Sequence, residues 1–327
     1  MSVALLAALT VSGLAQGKPA YTVVDRIAGP DGGYDYISVD SATQRVYVGR
    51  NEGVMTIDLA TRKVTPVFVA GQGVAAVLII PGTDLMLSTN GDSNTATLFD
   101  RHTGKVRASI PTGNEPDGAQ YDAGSGLAFV MNGESEDVTF IDVRKAAAVA
   151  TVAVGGVPEA AATDGKGRLY VNIEDTAEIA VLDIASAKVV GRYKLPGCEE
   201  PTGIAYDTAS HTLISACHNG TAKVIDAQTG ADRQSVAIGK DADGAIFDAQ
   251  RRLVYVSCMD GTLAIFPLGR DGKAGAVSTI RTAHGARTEG LDAKTGRIYL
   301  PRTEYKTDAE GKRTRVPGTF EVLVLAP

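Results

Sequence analysis

The chain has 327 residues, of which 44% are hydrophobic and 21% charged, and its net charge at pH 7 is −6. That balance supports a buried core and excludes a disordered or low-complexity protein. The acidic surplus argues against nucleic acid or an anionic membrane as partner, because phosphate binding needs a basic face.

The chain begins MSVALLAALTVSGLAQG. Val3 to Val11 is an apolar run too short to span a bilayer. Gly13-Leu14-Ala15 puts small residues where a signal peptidase cuts, although no basic segment precedes the run. Residues 1–15 therefore read as a signal peptide cleaved before Gln16. The remainder, 16–327, is expected as one domain in the periplasm or outside the cell, an oxidising setting. YTVVDRI, from Tyr21 to Ile27, follows as a strand that stands outside the repeats after it.

From Asp35 onward one pattern recurs seven times. Its second strand is RVYVGR, LMLSTN, LAFVMN, RLYVNI, TLISAC, LVYVSC and finally RIYLPR. An Asp closes the third strand at Asp58, Asp100, Asp142, Asp183 and Asp226, at separations of 42, 42, 41 and 43 residues. Another Asp closes the first strand at Asp40, Asp122, Asp164, Asp207, Asp248 and Asp292; Ile80-Pro81 stands in that place in the second copy. Alternation rich in Val, Ile, Tyr and Thr makes these segments strands. Each Asp suits the first position of a tight turn, where its carboxylate accepts from nearby amides. Four short strands repeated every 40 to 45 residues predict an all-β fold, a seven-bladed β-propeller of four-stranded antiparallel blades. The last copy ends on its third strand, FEVLVLAP, so Tyr21 to Ile27 is expected to supply its fourth and close the ring.

The stretch LYVNIEDTAEIAVLDIASAKVVGRYKLPGCEEP resembles the YVTN repeat, and residues 21–327 as a whole resemble the YncE-like extracytoplasmic seven-bladed propellers. The resemblance implies the fold and an exported location. The seven-bladed lactonases are similar at a greater distance, and none of their catalytic motifs can be placed here. The sequence has no Trp, hence no WD dipeptide and none of the tryptophan-docking motifs of quinone-cofactor propellers. It has no C-x-x-C-H motif for covalent haem. Seven copies also disfavour the six-bladed calcium lactonases. No cofactor is expected.

Function in such a scaffold lies in what varies between copies. The slot leading into each innermost strand holds Asp35, Ala75, Asp117, Glu159, Thr202, Asp243 and Arg287. The end of the second strand holds Arg50, Thr89, Asn132, Ile173, Cys217, Cys258 and Arg302, with Glu174 and His218 one residue further on. The polar members, namely Asp35, Arg50, Asp117, Asn132, Glu159, Glu174, His218, Asp243, Arg287 and Arg302, are candidate ligand-binding residues. One reading is a solvated, charged rim. The other is a bipolar funnel, acidic through Asp117, Glu159, Glu174 and Asp243 and basic through Arg287, Arg302 and Arg50, that takes a small anionic or zwitterionic ligand.

Glu289 breaks an apolar slot that holds Ile37, Val77, Ala119, Ala161, Ile204 and Ala245 in the other copies. A carboxylate there is costly unless paired, so an ion pair with Arg302, Arg50 or Arg287 is expected. Glu289 and His284 are also candidate acid–base residues. The insertion EYKTDAEGKRTRVPGT, from Glu304 to Thr319, reads as a flap over the funnel. Cys198–Cys217 is the favoured disulfide, leaving Cys258 free, with three reduced cysteines as the alternative. Cys217, Cys258 and His218 lack the close spacing of a zinc site, so no metal is expected. Two functions remain open. One is a monomeric binding or scaffold protein for a small anionic ligand or a protein partner. The other is a hydrolase or lactonase-like enzyme using Glu289 or His284, with Arg302 as anion anchor.

Overall fold

The computed structural model describes residues 20–308 and 311–327. The apolar leader and its expected cleavage site lie outside the described residues. Among the described residues, seven four-stranded antiparallel sheets form the blades of a propeller. Blades one to six span residues 34–70, 74–111, 116–153, 158–194, 201–237 and 246–281, each running from the central channel outward in chain order. Blade seven takes Gly290–Asp292, Arg297–Arg302 and Glu321–Ala326 from the end of the chain, and Thr22–Ala28 from its beginning.

The seam between the two chain ends is antiparallel, from Thr22 opposite Ala326 to Ala28 opposite Glu321. Tyr21 fastens it to the neighbouring blade. Its hydroxyl donates to the Gly296 carbonyl at 2.9 Å and shares a hydrogen bond of 2.8 Å with the Tyr255 hydroxyl of blade six. Closure covers the edge of Glu321–Ala326, which would otherwise be open to another chain.

Burial follows strand position. The middle strands are covered on both faces by adjacent blades, so Leu127–Asn132 and Asp137–Asp142 are buried almost throughout. The outermost strand Lys188–Lys194 has one face to solvent and alternates. The core is therefore a set of layers between blades. Phe129, Phe140, Val171 and Leu182 make one such layer between blades three and four. The recurrent aspartates hold the turns: Asp58 accepts from the Thr61 amide at 2.8 Å, Asp100 from Thr103 at 2.8 Å, and Asp226 from Thr229 at 2.9 Å. Hydrogen bonds from Thr61 and Thr103 hold Asp58 and Asp100 below the usual carboxylate range.

Two departures from the repeat shape the channel. The innermost strands of blades six and seven are cut to three residues, Ile246–Asp248 and Gly290–Asp292, where the other blades have six or seven. In blade two the second strand ends on Asn90, opposite Thr95, so Asn90 and not Thr89 is the counterpart of Arg50 and Asn132. Among the described residues no helix is long and apolar enough to cross a membrane.

Candidate ligand site at the channel mouth

The heads of the innermost strands converge on one end of the channel, around a cavity of about 750 Å³. Seven carboxylates line it: Asp35, Asp117, Glu159 and Glu174 deeper in, Asp92, Glu115 and Glu134 on the exposed rim. Among the described residues no Lys or Arg lines it. Asp35, Asp117 and Glu159 come from blades one, three and four, so only ring closure brings them together.

One cation faces this group. Arg287 donates to the Tyr34 carbonyl at 2.6 Å and to Asp35 at 3.3 Å, while its guanidinium lies over the Tyr34 ring. Burial pulls Arg287 down, yet Asp35 and Asp243 outweigh it and hold the guanidinium above its ordinary value. The acids are pushed the other way. Burial raises Asp35 to about 6, with Arg287 opposing and Asp243 adding. Burial and then the charge of Asp35 raise Asp117 well above the carboxylate range, and burial with Asp117 and Asp243 does the same to Glu159. These side chains keep some contact with solvent but sit deep in the ring, where several negative charges cannot coexist without counter-ions or protons. Asp117 Oδ1 and Asp243 Oδ2 are buried without a hydrogen-bond partner.

A second, smaller cavity of about 170 Å³ lies further along the channel, lined by Tyr36, Asp243 and Glu289 among small and apolar residues. The Tyr36 hydroxyl donates across the channel to Glu159 Oε1 at 3.1 Å, marking the boundary between the two levels.

The expected ion pair of Glu289 with an arginine is not formed. Glu289 is 5% exposed and takes a 3.3 Å hydrogen bond from the Ser257 amide on Oε2, while Oε1 has no partner. The reason is geometric. The short inner strands of blades six and seven let Glu289 turn toward blade six, and Gly244 makes room, because a Cβ there would collide with the carboxylate. Burial pushes Glu289 up to about 8, against the pull of Ser257 and with Asp243 adding.

The three arginines of the expected basic side are also dispersed. Arg50 is buried, donating to the Gly33 and Pro30 carbonyls at 2.6 Å each, with its guanidinium 3.9 Å from the centre of the Phe320 ring. It pins a loop. Arg302 is held by Glu321 at 2.6 Å and Glu304 at 3.3 Å. It lines a separate cavity of about 600 Å³ with His284, Tyr305 and Arg313. His284 and Glu289 thus line different cavities and do not form an acid–base pair.

Among the described residues of the insertion, none lines the acidic mouth. The insertion folds as a hairpin, Tyr305–Thr307 against Arg313–Arg315, and the Gly318 amide is tied to Asp31 at 2.8 Å. Asn132 is fully buried and turns back on its own blade, donating to Asp137 at 2.7 Å and Thr139 at 2.9 Å. Its place in a polar slot reflects blade packing, as does that of Asn90, which bonds Thr97 at 3.0 Å. His218 pairs with Glu200 at 2.7 Å on the rim, close enough to Glu174 to pull against its burial-driven rise. Cys198 and Cys217 are disulfide-bonded with their Cα atoms 5.5 Å apart, and Cys258 is free and buried.

Four participants were not read from the sequence. Tyr36 occupies a slot that carries Ala76, Gly118, Ala160, Gly203, Gly244 and Thr288 elsewhere, so its bulk among small residues was a usable signal. Asp92, Glu115 and Glu134 lie in connections where acidic residues are ordinary, and no comparable signal marks them.

No family model and no curated protein matches the chain. Among solved structures, a chain of Kuenenia stuttgartiensis hydrazine synthase superposes with a TM-score of 0.70 and 15% identity, over 93% of this chain and 99% of that one. At that identity the likeness shows the propeller fold alone. The 1801 solved chains that match make the same point, since a fold so widely shared does not select a function.

Proposed function

We propose that the chain is an exported, YncE-like propeller that binds an organic cation at the acidic mouth of its channel, as a monomeric binding protein rather than an enzyme. The observation that carries the reading is the mouth itself, lined by seven carboxylates and, among the described residues, by no basic side chain, with Arg287 reaching only Asp35 at its edge. A buried, unpartnered oxygen on Asp117 favours a ligand that donates hydrogen bonds and brings positive charge. This replaces the small anion expected from the arginines, two of which are occupied elsewhere. The Cys198–Cys217 disulfide supports an oxidising compartment. The carboxylates surround a broad cavity, and among the described residues no group of three or more His, Cys, Asp or Glu side chains is placed to hold a metal ion. An extended ammonium compound suits that spread.

The test is a thermal-shift and calorimetric panel at low salt with tetramethylammonium, butylamine, calcium, acetate and a simple lactone. Ammonium compounds should raise the melting temperature, and the double variant Asp117→Asn, Glu159→Gln should abolish the effect. Binding of acetate or the lactone without the ammonium compounds would overturn the reading. Binding of calcium alone would replace the organic cation by a metal.

A further inference from the structure

The lower cavity is built unlike the mouth. Ala119, Ala161, Ile204 and Ala245 are among its walls, and the groups with polar atoms are Tyr36, Asp243, Thr288 and Glu289. Its volume of about 170 Å³ fits an aliphatic body of a few carbons, since an apolar cavity of about 150 Å³ accommodates a benzene-sized guest. One carboxyl oxygen of Glu289 is satisfied by Ser257; the other, on a side chain 95% buried by its 5% exposure, has no partner. Packing does not require it, because the six other copies fill this slot with Ile, Val or Ala. The position lacks only a donor, and a donor with positive charge would satisfy Asp243 Oδ2 as well.

We propose that the lower cavity takes the aliphatic chain and one ammonium group of a linear alkyl diamine, with Glu289 as its counter-ion, while the second ammonium stays among Asp35, Asp117 and Glu159. This rests on the reading of the mouth as a cation site and names the class of cation. Asp243 joins the two levels, for its charge acts on Asp35 and Glu159 above and on Glu289 below. The chain would pass Tyr36, whose bond to Glu159 yields one acceptor to the upper ammonium. The groups around Glu289 are Ser257 and Cys258 from the second strand of blade six, Asp243 from its inner loop, and Tyr36 across the cavity. No positive side chain is among them, so burial keeps a proton on Glu289 at pH 7 until an ammonium displaces it.

Calorimetry at pH 7 with butylamine, 1,4-diaminobutane and 1,6-diaminohexane tests this on the wild-type and Glu289→Gln chains. At least one diamine should bind wild type tenfold or more tightly than butylamine. It should also release more protons, read from the enthalpies in two buffers of different ionisation heat. A doubly charged ligand gains at any acidic mouth, so the variant decides: Glu289→Gln should remove the diamine's advantage over butylamine. Equal affinities in wild type, or an advantage that survives Glu289→Gln, would overturn the proposal and leave the mouth site standing. Failure of every amine to bind wild type would overturn both. The proton count needs wild type alone, so a variant that does not fold leaves a test in place: no extra proton released by any diamine also overturns the proposal.

Discussion

Tyr36 of blade one donates its hydroxyl hydrogen to Glu159 of blade four, 123 residues away and 3.1 Å across the channel. A neutral donor aimed at a carboxylate favours its charged form. Glu159 needs that help, because burial and its acidic neighbours push it toward the protonated form. Tyr36→Phe should therefore move the pH dependence of cation binding upward, with affinity about threefold to tenfold weaker at pH 7 and restored at higher pH; a charge-assisted hydrogen bond of about 1.5–3 kcal/mol permits a change of that size. Calorimetric titrations of both chains between pH 6 and 9 would show it. Superimposable profiles would mean that the bond does not govern Glu159.

Glu289 ties stability to pH with a defined sign. Its folded value, about 8, lies above the ordinary 4.5, so the folded chain holds this proton more tightly than the unfolded one. Its contribution is then greatest below pH 4.5 and is lost as pH rises toward 8, by up to about 1.4 kcal/mol per pH unit. Glu289→Gln cannot ionise and should flatten that decline, making the variant more stable than wild type at pH 9. Urea unfolding at pH 5, 7 and 9 measures the slope, and parallel curves for the two chains would contradict the assignment. The turn aspartates act oppositely: Asp207 and Asp292 are held below the usual range despite burial, by Arg252 and Ser210 and by Ser41 and Thr295 respectively, so their contribution is lost as pH falls through their folded values.

The seam depends on Tyr21. Tyr21→Phe removes the donor to Gly296 and the bond shared with Tyr255, both buried. A loss of about 1–3 kcal/mol is expected, because the partners stay behind without replacement. Removing residues 20–28 should do far more, exposing the edge of Glu321–Ala326 to intermolecular pairing. Equilibrium unfolding of the point variant and light scattering of the truncated chain measure the two effects; a soluble truncated chain with unchanged melting would contradict the closure role.

The disulfide closes a loop whose ends are 19 residues apart. Its reduction should destabilise the fold by about 3 kcal/mol, mainly by freeing the unfolded chain. Denaturant midpoints with and without reductant give the number. Cys258 is buried and pushed up to about 12 by its surroundings, so alkylation of the native, oxidised chain should be slow.

Much of the architecture is determined by the sequence alone, because the repeat dictates local geometry. The spacing of Asp58, Asp100, Asp142, Asp183 and Asp226 marks turns whose bonds are made within three residues, and a missing fourth strand has one complementary segment, at Thr22–Ala28. The oddity of Glu289 was legible for the same reason, as a carboxylate in an apolar series. Its partner was not, since that depended on two shortened strands and the space left by Gly244. Arg50 and Asn132 share a slot with Arg302, yet one lies on Phe320 and the other folds back on Thr139, because side-chain direction is settled by neighbouring blades rather than by position in the repeat. The sign of the channel mouth was decided only by the closed ring. Asp35, Asp117 and Glu159 are separated by about a blade or more of chain, and their mutual repulsion exists only where a seven-fold closure points them at a common axis, with Arg287 facing them and Arg50 and Arg302 held elsewhere.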